Sequence, residues 1–180
     1  YRMIERRRDT AATGKDLLSL LMQARDDETN VQMTEKQLRD EVLTLLIAGH
    51  ETTANVLAWT FYLLAQRADA EQRMHEEAKT VLGGRAAFVA ADLDRLVYTR
   101  RVMQEGLRLY PPGWFVGRQA QADVQIGGYT VPRGAVVLVS QYVTHRDARF
   151  FADPHQFKPE RWEGDLEERL PRGAYFPFSA

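Results

Sequence analysis

The stretch that most constrains this chain is Val42 to Ala65, VLTLLIAGHETTANVLAWTFYLLA, an apolar run of helical character with a polar notch at Gly49-His50-Glu51-Thr52-Thr53. A helix that is apolar on nearly every side belongs in a core. Thr34 with Gln37 three residues on forms a capping-box start, and no proline or turn cluster interrupts the run before Arg67-Ala68-Asp69. Such a helix would span roughly 45 Å, the depth of a whole domain. His50 and Glu51 leave fewer than about 18 consecutive apolar residues on either side, too few for a transmembrane span.

The notch requires a reason, because an unpaired carboxylate buried in such a helix costs several kcal/mol. Ala48, Glu51 and Thr52 share one face at i, i+3 and i+4. Gly49 costs on the order of 1 kcal/mol of helix stability but lets another group approach the backbone. The structural reading is a core helix with a tolerated glycine and a solvated glutamate. The functional reading is a proton relay, a carboxylic acid beside a hydroxyl at a break in an apolar wall.

The remaining chain divides into a helical part and a mixed part. Residues 1–9 form a charged helix, Thr13-Gly14 breaks it, and residues 16–24 are a short amphipathic helix before a polar loop at 26–32. Further helices are predicted at 69–82, stopped by Gly83-Gly84, and at 98–109, ended by Pro111-Pro112. Beyond Trp114 the period changes. Residues 124–131 read as a hairpin turning at Gly127-Gly128, residues 135–139 as a buried strand, and residues 144–180 as an irregular but packed coil. The class is mainly α with a small β portion.

Charge excludes some functions. Lys and Arg number 24 against 25 Asp and Glu, so no global field draws nucleic acid or an anionic membrane. There are no cysteines, which excludes disulfides and Cys-bound metals within these residues. His50-Glu51 begins like a zinc-protease helix, but Ala54 stands where the second His is needed. No glutamate is followed three positions later by His, which removes a di-iron bundle, and neither a phosphate loop nor a nucleophile elbow is present.

Glu105 and Arg108 stand three apart on an apolar helix, and a second arginine, Arg161, lies in Pro159-Glu160-Arg161-Trp162. On a surface the pair would contribute well under about 1 kcal/mol; shared with Arg161 it makes a buried network that fixes geometry.

Four patterns in one order resemble the cytochrome P-450 family of heme-thiolate monooxygenases. They are Ala48 to Thr53 in a long helix, Glu105-Gly106-Leu107-Arg108 before Pro111-Pro112, Arg118 in a strand-like segment, and Asp153-Pro154 through Trp162. Each is weak alone; together, at family-like spacing, they cover nearly the entire chain. The resemblance implies a partial fold of that family and residues 1–180 as part of one domain, with earlier helices lying before Tyr1. It implies that Ala48 and Gly49 lie over the heme where dioxygen binds, that Thr52 offers it a hydroxyl, and that Glu51 helps pass protons. Arg118 would face a heme propionate, and Trp114, Phe115 and Val116 would line the substrate pocket. Glu105, Arg108 and Arg161 would form a scaffold triad.

Phe178 would open the heme-binding loop, whose axial Cys is expected seven residues on, beyond Ala180; within these residues no metal ligand is expected. His50 is rejected as a substitute ligand, because it would displace the oxygen site that the relay serves. The implied activity inserts one oxygen atom of O2 into a hydrophobic organic substrate. Electrons would come from NAD(P)H through a ferredoxin, a flavin reductase or a fused reductase domain. The 180 residues by themselves are expected to be inactive, and the localisation expected is cytoplasmic. The alternative is a non-catalytic remnant of the heme fold serving as a binding or interaction module.

Overall fold

The computed structural model describes residues 1–9, 16–164 and 166–178. In order the elements are α1 (Arg2–Asp9), α2 (Leu17–Gln23), α3 (Glu35–Leu64), α4 (Ala68–Leu82), a 3-10 turn (Ala90–Arg95) and α5 (Val97–Leu109). Strands β1 (Val116–Gln119), β2 (Val124–Ile126), β3 (Tyr129–Val131) and β4 (Val136–Val139) follow, then α6 (Gln141–Thr144), a 3-10 turn (Pro159–Trp162) and α7 (Leu166–Arg169). The chain forms two compact units, residues 1–51 and 52–180, with the division falling inside α3. The Thr13-Gly14 break lies outside the described residues.

In the first unit α1 buries Ile4 and α3 buries Leu38. Arg8 pairs with Glu35 at 3.1 Å, and Arg39 donates to the Tyr1 hydroxyl at 2.9 Å. The start of α3 is the predicted capping box. The Thr34 amide donates to Gln37 Oε1 at 2.9 Å while the Gln37 amide donates to Thr34 Oγ1 at 3.3 Å, satisfying two amides that a helix start leaves without partners. Asp16 caps α2 by accepting from the Ser19 amide at 3.1 Å.

In the second unit the core gathers Leu63 and Leu64 of α3, Ala70 of α4, Tyr98, Val102 and Leu109 of α5, and Phe157. Val56, Thr60, Leu63 and Leu64 are buried at i, i+4, i+7 and i+8, while Leu57, Trp59, Phe61 and Tyr62 stay exposed. The expectation that α3, apolar on nearly every side, belongs in a core is therefore met on one face of its second half. Only one stripe is covered among the described residues, because a helix buries the face turned to a neighbour and no other. The Glu51 carboxylate is likewise exposed, so it bears no burial cost.

Helix α4 ends on Gly83 at φ +55°, the left-handed conformation glycine takes without strain. The first turn of α5 is capped from α4 rather than locally: Glu77 accepts from the Tyr98 amide at 2.6 Å and the Thr99 amide at 2.8 Å. Two separate antiparallel pairs make up the β portion, β1 with β4 and β2 with β3. The β2–β3 turn has positive φ at Gly127 and Gly128, as the tightest hairpin turn demands. Strand β4 is a correction to the buried strand expected at 135–139: Val136, Leu138 and Val139 are exposed, because β4 pairs with β1 alone among the described residues.

Candidate functional site

Within the second unit, a cavity of about 450 Å³ opens between the second half of α3 and the chain leaving α5. Thr52, Thr53 and Val56 line it from α3, and Leu107 lines it from α5. Pro111-Pro112 stops α5 and turns the chain extended, which brings Phe115 and Val116 to the cavity on the way into β1. Phe178 reaches the same cavity from the far end of the chain, and Gln141 from the start of α6. Trp114 is not among the lining residues; it is exposed and packs edge-on against Phe115 at 4.3 Å.

Beside this cavity, α5 carries a fully buried ion pair. Glu105 Oε1 accepts from Arg108 Nη2 at 2.8 Å, Arg161 Nε at 2.9 Å and the Lys158 amide at 2.9 Å. Its Oε2 accepts from Arg108 Nε and Trp162 Nε1, each at 2.9 Å. Five donors thus converge on one carboxylate, the charge-assisted arrangement that keeps a buried anion affordable. The two guanidinium groups in turn hold the irregular backbone. Arg108 donates to the carbonyls of His145 and Pro154, both at 2.7 Å, and of Gln156 at 3.1 Å. Arg161 donates to the Ala152 carbonyl at 2.7 Å and the Asp153 carbonyl at 3.2 Å. A segment without regular structure must satisfy its carbonyls elsewhere, and here two arginines supply the donors.

His145, fully buried, accepts the Phe176 amide on Nε2 at 3.0 Å. Burial first, and then the cationic Arg108 and Arg146, push its imidazole down to about 4 from the ordinary value of 6.5, so it is neutral near pH 7. Burial likewise pushes the Tyr175 phenol well above its usual range, and its hydroxyl donates to the Gln104 carbonyl at 3.2 Å.

The structure thus brings Glu105, Arg108 and Arg161 together as expected, and sets Thr52 and Phe178 at one cavity. Ala48, Gly49 and Glu51 precede Thr52 on α3, within the first unit. A Cβ built on Gly49 would meet nothing within 4 Å, so the close approach expected there is not seen among the described residues. Arg118 is exposed on β1, opposite Val137, and donates to the Gly117 carbonyl at 2.9 Å. Sequence reasoning missed His145, Gln141 and Tyr175. A lone His or Gln outside a motif carries no local signal, although Trp162, inside Pro159-Glu160-Arg161-Trp162, could have been assigned to the network.

Comparison with known proteins decides the family: the model for cytochrome P450 matches residues 1–180. The chain belongs to the cytochrome P450 family. It is 45% identical over 163 residues to cyclooctatin synthase of Streptomyces melanosporofaciens, covering 91% of this chain and 35% of that protein. It is 43% identical over 178 residues to cyclooctat-9-en-7-ol 5-monooxygenase of the same organism, covering 99% and 39%. Pentalenene oxygenase of Streptomyces avermitilis is 34% identical, with 99% and 38% covered. Among solved cytochromes P450, the retinoic acid-bound cyanobacterial CYP120A1 superposes with a TM-score of 0.91 at 33% identity, over 99% of this chain and 41% of that one. The chain therefore spans little more than a third of the length of the curated relatives it matches.

Heme is the cofactor of a cytochrome P450, and the residues present fit it. The cavity is mostly apolar, which suits a large aromatic ring. Arg118 has donors beyond the one given to Gly117. No described helix is long and apolar enough to cross a membrane.

Proposed function

We propose that the protein to which these residues belong is a heme-dependent monooxygenase that inserts one oxygen atom of O2 into a hydrophobic organic compound. Electrons would come from NAD(P)H through a redox partner. The observation that carries this reading is the apolar cavity with Thr52 and Thr53 on one side and Leu107, Phe115 and Phe178 around it, set beside the five-donor Glu105 network. In this reading residues 1–180 are part of a single domain.

Heme, when bound, would supply the O–O cleavage and the oxidation of C–H bonds. The chain's own residues hold and serve it. Arg118 would give its guanidinium to a heme carboxylate, and Phe178, Ala48 and Gly49 would contact the ring. Thr52 would present its hydroxyl in the cavity, and Glu51, next to it in α3 and exposed to water, would deliver protons toward that hydroxyl. The substrate class follows the apolar lining, and the names of the relatives above support it: pentalenene is a hydrocarbon, and cyclooctat-9-en-7-ol an alcohol.

The test is to express the protein as its gene encodes it, reconstitute it with heme, NAD(P)H and a ferredoxin system, and supply hydrocarbon substrates under isotopically labelled dioxygen. A product carrying one labelled oxygen is the expected result. Heme uptake with no labelled product from any apolar substrate would reject the monooxygenase in favour of a heme-binding module.

A further inference from the structure

We propose that His145 is a positioning residue, whose imidazole ties the chain entering the cavity at Pro177 and Phe178 to the buried Glu105–Arg108 pair. The residue faces two ways. Its main-chain carbonyl accepts from Arg108 Nη1 at 2.7 Å, while its Nε2 accepts from the Phe176 amide at 3.0 Å. Its own amide donates to the Gln141 carbonyl at 2.8 Å, so it also closes α6. One buried residue therefore joins the ion pair, the end of α6 and the segment that delivers Phe178 to the cavity wall.

The alternative is that a histidine merely fills the core. The second ring nitrogen argues against this. With Nε2 accepting, a neutral ring carries its proton on Nδ1, and Nδ1 is buried with no acceptor at full hydrogen-bond geometry among the described residues, the Arg108 carbonyl being the backbone acceptor that faces the ring. The ring packs against Phe151, Tyr175 and Phe176 at 6.5, 5.1 and 5.3 Å, surroundings that a phenylalanine would fill with no orphaned donor. An unsatisfied buried polar group is costly and calls for an explanation. What a histidine provides here and an apolar ring cannot is the acceptor for the Phe176 amide.

A second tie runs in parallel. Trp162 donates to Glu105 at 2.9 Å and lies 4.6 Å from the Tyr175 ring, so the residues before Phe178 are held to the same carboxylate by two independent routes. The charged and titratable groups that face the imidazole from its neighbours are Arg108, Arg146 and Tyr175.

The consequence for heme rests on the function proposed above; the consequence for the Phe176 amide does not. In the protein as its gene encodes it, amide hydrogen exchange is compared for wild type, H145F and H145Q. H145F is expected to speed exchange across 174–178 by about tenfold, the loss of one hydrogen bond, with α4 unchanged. H145Q, whose Oε1 can accept, is expected to recover most of the protection. Unchanged exchange at 174–178 in a folded H145F would overturn the proposal. If H145F does not fold, exchange in wild type under mild denaturant decides: residues 174–178 and α6 should open together, and separate opening overturns the tie. Transfer of heme to apomyoglobin is then measured. Faster loss from H145F than from H145Q is expected, and equal rates would overturn the functional consequence. A wild type that takes up no heme would count against the proposed function, while the exchange result still judges His145.

Discussion

Glu105 and Arg108, one helical turn apart on α5 and both fully buried, share two parallel hydrogen bonds of 2.8 and 2.9 Å. The pair is the point to which the irregular segment after α6 is tied, through Arg161, Trp162 and the carbonyls to which Arg108 donates. Removing one charge from such a pair leaves the other buried without compensation.

Glu105→Gln keeps the shape and removes the charge. It is expected to cost about 3 to 5 kcal/mol, because Arg108 and Arg161 lose their shared anion. Denaturant unfolding measures the loss, and heme content should fall with it. A variant with wild-type midpoint and heme content would contradict the scaffold role.

Gly106 faces Thr60 of α3. A Cβ there would lie 2.3 Å from Thr60 Oγ1, so Gly106→Ala is expected to destabilise by about 1 to 3 kcal/mol through overpacking. Thr60 Oγ1 is buried and has no partner among the described residues, which makes Thr60→Ala alone mild. The double variant T60A/G106A should recover most of the loss, and thermal melts of all four proteins complete the cycle.

His145 makes stability depend on pH. Its folded value of about 4 lies below the ordinary 6.5, so the unfolded chain binds the extra proton first as pH falls. The stabilisation is complete above about pH 6.5 and declines progressively down to about pH 4, by about 3 kcal/mol in all. The unfolding free energy of wild type across that window should show the slope, and H145Q should flatten it. Equal slopes would mean that other groups carry the acid sensitivity.

Thr52 lines the cavity beside Thr53. Under the proposed function, Thr52→Ala in the protein as its gene encodes it should leave heme content unchanged and divert electrons to peroxide. The ratio of peroxide formed to NAD(P)H consumed reads this directly; an unchanged ratio removes Thr52 from the proton path.

The sequence by itself determined the features governed by local chemistry. Thr34 and Gln37 cap α3, Gly83 ends α4, Gly127 and Gly128 turn the hairpin, and Pro111-Pro112 stop α5. Each follows from dihedral preference or a hydrogen bond spanning a few residues, and the motif spacing then supplied the family. Tertiary structure alone decided which stripe of α3 is covered, that β4 stays exposed, that Glu77 caps a helix 21 residues on, and that His145 holds Phe176. These choices depend on which surfaces meet across long stretches of chain. A stretch as nearly uniformly apolar as residues 54–64 at the end of α3 has little period to announce its buried face, and a buried histidine gives no sign of its partner until the chain returns to it.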